Sequence, residues 1–250
     1  MIVPEFEYCV PETLQEACSM LAQYGGKARV LAGGTDVLVK MKNRLMKPEF
    51  LVTLKNLDEL KGIRYVPGQG VVIGARATHN EVMTSPILQE KYKSVCEAAH
   101  SMAAYQIRNI GTIGGNLVNA VPSADMPPIL IALNASVHIV GVKGERSMLL
   151  EDFFVGPNKT VLQPDEILVD ITIPAQPTTG SNYIKFGLRK AGALAVAGVA
   201  SSVTMKGEVI EDARIVMGAV APTPLRAREA ESFLRGKKAS QELLEEAGKI

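Results

Sequence analysis

Apolar positions keep a helical spacing in some stretches of the chain and form short strand-like runs in others, and glycine or proline clusters mark most of the changes. Thr13 and Glu16 have the spacing of a capping box, and Leu14, Ala17, Leu21 and Ala22 follow on one stripe before Gly25 and Gly26. That pattern predicts a short amphipathic helix. Residues 29–32 read as a buried strand running into Gly33 and Gly34, with a helix from about Thr35 to Arg44 behind it. Residues 51–54 and 71–75 are further strands, and Thr78 with Glu81 makes a second capping box ahead of a helical region that Pro86 breaks. The first ~80 residues therefore predict a small α/β unit.

Helical spacing returns over residues 94–104, after which 107–119 turns rich in glycine, asparagine and isoleucine, the chemistry of loops around short strands. Pro127 and Pro128 open a helix through Ala132, because a first turn needs no amide donor. Residues 137–140 and 167–173 follow as strands. The stretch 174–180, with two prolines and a glycine among small polar residues, is the best linker and sets a domain boundary. This divides the chain into 1–175, with subdomains of about 1–55 and 56–175, and a lobe at 181–250. In that lobe 196–205 and 213–217 read as strands, 225–234 as a helix, and another helix begins near Ser240.

Composition narrows the class. Hydrophobic residues make up 47% and charged residues 21%, a globular balance, and a formal net charge of +1 gives no electrostatic case for nucleic acid or an anionic membrane as partner. Lys40, Lys42, Arg44 and Lys47 read as a solvated helix face or a subunit contact. The N-terminus lacks a signal-peptide pattern, and the most apolar stretch, 127–135, is far short of the ~20 residues that span a bilayer. Cys9, Cys18 and Cys96 are odd in number and lack C-x-x-C spacing, so no disulfide framework, zinc site or iron–sulfur site is expected, and the cytoplasm is the expected compartment.

The candidate chemistry lies in two glycine segments, Val30-Leu31-Ala32-Gly33-Gly34-Thr35-Asp36-Val37 and Thr112-Ile113-Gly114-Gly115-Asn116. A diphosphate is held by converging backbone amides, and glycine permits both the turn and the close approach. In the first segment Thr35 can donate to phosphate, while Asp36 suits a helix cap or a ligand hydroxyl. A Gly-Gly pair between a strand and a helix also serves as a simple tight turn. Against that stand three glycines from Gly111 to Asn116, flanked by hydrogen-bonding residues, where a turn needs only one. The chain has no G-x-G-x-x-G after a strand, no phosphate loop ending in Gly-Lys-Ser/Thr, no G-x-S-x-G and no H-E-x-x-H, so a nucleotide site of another design remains. His79, His100 and His138 are scattered and read as surface or core residues. Asp125 either caps the helix after it or accepts from a ligand hydroxyl; both readings stay open.

These segments, with the later run Pro122-Ser123-Ala124-Asp125-Met126-Pro127-Pro128, resemble the FAD-binding medium subunit of the xanthine dehydrogenase and carbon monoxide dehydrogenase family. Gly144-Glu145-Arg146, Asp152-Phe153-Phe154, Pro164-Asp165-Glu166-Ile167-Leu168 and Tyr183-Ile184-Lys185-Phe186 agree in order and spacing. The resemblance covers nearly the whole chain. It implies an α+β fold of the vanillyl-alcohol-oxidase and p-cresol-methylhydroxylase type, in which two subdomains clasp non-covalent FAD and a C-terminal lobe carries an antiparallel sheet. Carried over by position, residues 30–37 would wrap the diphosphate, 112–116 would line the cleft, and Asp125 would bind FAD hydroxyls. Leu168 would pack on the cofactor, with Lys185 close by, a cation that favours reduced flavin; Lys185 also reads as a surface lysine at a strand edge.

The same resemblance implies a large partner with the molybdenum cofactor, a small partner with two [2Fe–2S] clusters, a dimer of heterotrimers, and electron delivery from FAD to NAD or another acceptor. No catalytic acid, base or metal ligand is assigned. The extra iron–sulfur cluster of the 4-hydroxybenzoyl-CoA reductase branch is not expected, since the second glycine segment lacks the cysteine-bearing insertion. Family members continue past the helix near Ser240, which makes the lobe reduced or cut short. The competing readings are a stand-alone flavin oxidase of the same fold, which wants a fuller cap domain, and a cofactor-free scaffold, which the intact glycine segments oppose.

Overall fold

The computed structural model describes residues 3–175, 177, 179–189 and 192–250; Gln176 and Thr178 of the expected linker lie outside the described residues. After strand β1 (Glu7–Cys9), Thr13 caps helix α1 (Leu14–Tyr24) by accepting from the Glu16 amide at 3.1 Å. The Glu16 carboxylate takes the Glu12 amide at 2.7 Å, so the expected capping box is only half made. Strand β2 (Ala28–Leu31), helix α2 (Val37–Lys42) and strand β3 (Phe50–Thr53) complete a first lobe, a parallel sheet in the order β1-β3-β2. Helix α2 is shorter at both ends than its apolar period predicts.

Strands β4 (Ile63–Val66) and β5 (Gly70–Gly74) open the second lobe. The helices α3 (His79–Thr84), α4 (Pro86–Lys91), α5 (Lys93–Ser101), α6 (Tyr105–Arg108), α7 (Ile113–Asn119) and α8 (Met126–Ala132) follow. Both halves of the Thr78–Glu81 capping box form at α3, and Pro86 sits in the first turn of α4 behind its Ser85 cap. The expectation of loops around short strands over 107–119 is corrected: α6 and α7 occupy most of that stretch. Two of the three glycines that suggested a loop, Gly114 and Gly115, lie in the first turn of α7, where tertiary contacts offset their poor helix propensity.

Strands β6 (Ser136–Gly141), β7 (Gly144–Leu149), β8 (Phe154–Gly156), β9 (Lys159–Thr160) and β10 (Ile167–Pro174) finish the lobe. Its sheet is antiparallel, in the order β4-β5-β10-β6-β7. The central strand β10 buries both faces. Ile167 and Val169 join the core of the first lobe with Leu57 and Leu60, whereas Leu168, Ile171 and Ile173 face the helices. Strict alternation would put 167, 169, 171 and 173 on one side; the irregularity between Leu168 and Asp170 switches the faces.

The C-terminal strands β11 (Gly180–Gly187), β12 (Ala195–Lys206), β13 (Val209–Gly218) and β14 (Leu225–Arg226) form an antiparallel sheet in chain order, completed by helices α9 (Arg228–Leu234) and α10 (Gln241–Ala247). The helix expected over 225–234 is shorter because Leu225 and Arg226 pair with β13, and that pairing overrides the helical period. Helix α8 is buried along its whole length and packs against β12 and β13, so Tyr183, Ala200 and Val216 share the core of the second lobe. Among the described residues no helix is long and apolar enough to cross a membrane.

Candidate functional site

The two glycine segments meet. A Cβ built on Gly33 would lie 1.9 Å from the Ile110 carbonyl oxygen and 3.0 Å from the Gly111 Cα, so only glycine lets the turn after β2 press onto the chain entering α7. Gly34 has φ +74°, the left-handed conformation that turns the chain into α2. On the other side, the amides of Ile113 and Gly114 donate to the carbonyls of Ala77 and Ala75, both at 2.9 Å. Thr112 then caps α7 by accepting from the Gly115 amide at 3.1 Å.

Between the segments lies a cavity of about 610 Å³. Val30, Ala32, Gly33, Gly34, Thr35, Asp36 and Val37 line it from the first segment, and Thr112, Gly114, Gly115 and Asn116 from the second. Asp125 and Leu168 border it as well. Three of the expected residues do not. Leu31 and Ile113 stay out of the lining, Ile113 because it is fully buried in the core of the second lobe. Lys185 is held one shell back by Asp125.

Asp125 occupies the N-terminal position of α8 without capping it, which closes one of its two readings. Its carboxylate instead accepts from the Tyr183 hydroxyl at 2.8 Å and from Lys185 Nζ at 2.8 Å. Lys185 also donates to the Ser101 carbonyl at 3.1 Å, and its side chain is only 12% exposed, so it is not a surface lysine. Burial raises the pKa of Asp125 while the two donors oppose that rise, and burial beside Asp125 pushes the Tyr183 hydroxyl up. The cavity wall thus carries a buried ion pair whose cation stands behind the carboxylate.

Asp36 likewise does not cap α2. Its Oδ1 accepts from Asn119 Nδ2 at 2.7 Å, and Asn119 Oδ1 accepts from Lys40 Nζ at 2.6 Å, with Asn158 Oδ1 at 3.5 Å from the same ammonium. These four residues line the cavity, and they latch α2 to the far end of α7. Lys40 was grouped by sequence with an exposed basic run; Lys42, Arg44 and Lys47 are exposed, but Lys40 turns inward, on the same helical face as Asp36. That four-residue spacing was the available signal, whereas Asn119 and Asn158 offered none.

Two buried polar atoms beside the cavity lack partners. They are Asn116 Oδ1 and His79 Nδ1, each on a residue of the lining. His79 is 3% exposed, and burial together with the Arg108 charge takes its pKa down to about 4, so its imidazole is neutral at pH 7. Of the other histidines, His100 is exposed and His138 lies between Asp170 and Glu145 at 3.4 and 3.1 Å. Converging turns, hydrogen-bonding side chains and apolar walls from Val30, Leu54, Ile167 and Leu168 suit a ligand with both a polar chain and a flat apolar part.

Comparison with known proteins agrees with this geometry. Residues 4–176 match the family described as the FAD binding domain in molybdopterin dehydrogenase, and residues 182–250 match the CO dehydrogenase flavoprotein C-terminal domain. The carbon monoxide dehydrogenase medium chain of Hydrogenophaga pseudoflava is 39% identical over 248 residues, which cover 99% of this chain and 86% of that one. The xanthine dehydrogenase FAD-binding subunit of Escherichia coli O157:H7 is 33% identical over 235 residues, covering 93% and 80%. Carbon monoxide dehydrogenase from H. pseudoflava, solved without the Mo-pyranopterin moiety of its molybdenum cofactor, superposes with a TM-score of 0.95 at 38% identity, over 100% of this chain and 86% of that chain.

Proposed function

The chain belongs to the FAD-binding medium subunits of the xanthine dehydrogenase and carbon monoxide dehydrogenase family, and from that premise we propose that the cavity between its two glycine segments is the FAD site of an electron-transfer subunit. The observation that carries the reading is the convergence of residues 33–36 with Thr112, Gly114, Gly115 and Asn116, far apart in sequence, on one cavity. FAD supplies the redox chemistry when bound. The chain's own residues hold and orient it: amides and the Thr35 hydroxyl of the first segment and Asn116 of the second serve the diphosphate and ribityl chain, Asp125 serves a hydroxyl group, and Leu168 packs on the apolar part. Lys185, donating to Asp125, opposes the rise in that carboxyl's pKa caused by its burial and so favours its accepting form.

In this reading electrons arrive from [2Fe–2S] clusters on a small partner, after substrate oxidation at the molybdenum cofactor of a large one, and leave to NAD or another acceptor. The assembly is a dimer of heterotrimers in the cytoplasm. Residues 1–175 form the FAD-binding domain, with subdomains of about 1–55 and 56–175, and 181–250 a C-terminal lobe. Native purification with whatever accompanies the chain tests this. We expect a flavin spectrum overlaid by iron–sulfur absorption, and flavin reoxidation when NAD is added anaerobically to the reduced complex. A colourless chain without partners overturns the reading, and reduced flavin indifferent to NAD removes that acceptor.

A further inference from the structure

His79 is not part of either glycine segment, yet it sits where they join. Its backbone amide donates to the Gly111 carbonyl at 3.0 Å, next to the point where Gly33 rests on Ile110 and Gly111. Its ring edge faces the same spot: a Cβ on Gly111 would be 3.4 Å from His79 Cδ2 and 3.5 Å from Thr35 Oγ1. The ring borders the cavity and is almost fully buried; Nε2, bonded to Cδ2, is the nitrogen on the edge toward Gly111 and Thr35, while Nδ1 on the opposite edge is shielded and without a partner. An unpaired buried polar atom is destabilising, and an apolar side chain of similar size at the same place avoids that cost.

We propose that His79 is a further ligand of the bound flavin nucleotide, its imidazole hydrogen-bonding an oxygen of the diphosphate or of the adjoining ribityl chain where the two glycine segments meet. The inference rests on the cavity's being the FAD site. Glycine turns are where a diphosphate is held, so the ligand atoms nearest to His79, Gly111 and Thr35 are oxygens. Arg108 beside the ring disfavours a second positive charge, so the ring keeps a single N–H for donation and one lone pair. A neutral donor suits a site already lined by Lys40, since it holds oxygen without adding a charge that would bind inorganic phosphate equally well.

The test uses the full chain freed of flavin and titrated with FAD, binding being read from quenching of flavin fluorescence. His79→Leu should weaken FAD binding by about tenfold or more, the loss of one hydrogen bond to a ligand oxygen. His79→Asn, which keeps a donor, should stay within about threefold of the wild type. The flavin-free His79→Leu chain should melt no lower than the wild type, because the substitution removes an unsatisfied nitrogen. The imidazole ¹⁵N resonances of His79 should also shift when FAD is added. His79→Leu binding FAD as tightly as the wild type overturns the proposal, as do unmoved ¹⁵N resonances. So does equal loss of affinity in both variants with a lowered melting temperature, which marks a packing role. A wild-type chain that binds no FAD overturns the FAD reading itself, which keeps the two failures distinct.

Discussion

A side chain on Gly33 would collide with the Ile110 carbonyl, whereas one on Gly115 would meet only the Thr112 hydroxyl, at 2.9 Å. Both glycines invite the same ligand-approach reading from sequence, but Gly33 also serves a contact within the protein. We therefore expect Gly33→Ala to destabilise the flavin-free chain by about 3 kcal/mol in chemical denaturation, through overpacking against main chain that cannot yield. Gly115→Ala should leave that stability within about 1 kcal/mol and instead lower the flavin-to-protein ratio. Equal stability of the two variants would refute this division. His79 adds a pH dependence. Its pKa falls from 6.5 to about 4 on folding, so the unfolded chain takes up a proton over a range where the folded chain does not. Stability from this group is full above pH 6.5 and is lost as pH falls toward 4. The wild type should lose about 2 kcal/mol between pH 7 and pH 5 in urea titrations, and His79→Leu should flatten that slope. The pairing of Asp125 with Lys185, like that of Asp36 with Asn119, had no signature in the sequence, because each joins residues from different elements.

At the scale of elements, legibility followed burial and local chemistry. The capping box at α3, the proline-opened α8 and the buried runs of β5, β6 and β10 were readable because the signal lay within a few residues. Strand β7 was not: it is an edge strand with mostly exposed positions, so no apolar alternation marks it. Strand β11 carries Ile184 and Phe186 on an exposed face, which blurs its period in the same way. Helix α7 was hidden by its own glycines. Ile113, Gly114 and Gly115 make its first turn, and what holds that turn is the Thr112 cap together with the bonds to Ala75 and Ala77. Thr112→Ala should cost about 1 kcal/mol of stability and free the Gly115 amide, measurable as faster hydrogen exchange at that residue. Unchanged exchange there would show that the cap does not control the turn.

At the scale of the molecule, the C-terminal sheet is joined to the second lobe by the buried faces of α8, by the Lys185–Asp125 pair and by an ion network around Arg226. Arg226 on β14 donates to both oxygens of Glu231, at 3.0 and 2.6 Å, and to Glu151 at 3.1 Å, while Arg228 also contacts Glu151. Glu231 is 3% exposed and accepts the Ile215 amide at 2.8 Å; Glu151 belongs to the second lobe, in the turn after β7. Removing the arginine leaves a buried carboxylate unpaired. Arg226→Ala should therefore destabilise the chain by about 3–5 kcal/mol and make the C-terminal lobe the first target of limited proteolysis. A wild-type cleavage pattern in that variant would show the network to be incidental.

The elements marked by local caps, prolines or buried apolar runs, the position of both glycine segments and the likeness to a flavin-binding family were determined by the sequence itself, since each depends on neighbours a few residues apart or on motifs read in line. Tertiary structure alone decided that Gly33 rests on Ile110, that the irregularity in β10 turns Leu168 to the helices while Ile167 faces the first lobe, and that His79 closes the junction of the two segments. Those outcomes depend on contact energies between residues far apart in the chain, where burial, main-chain approach and partnered polar atoms are settled together and no local pattern records the result.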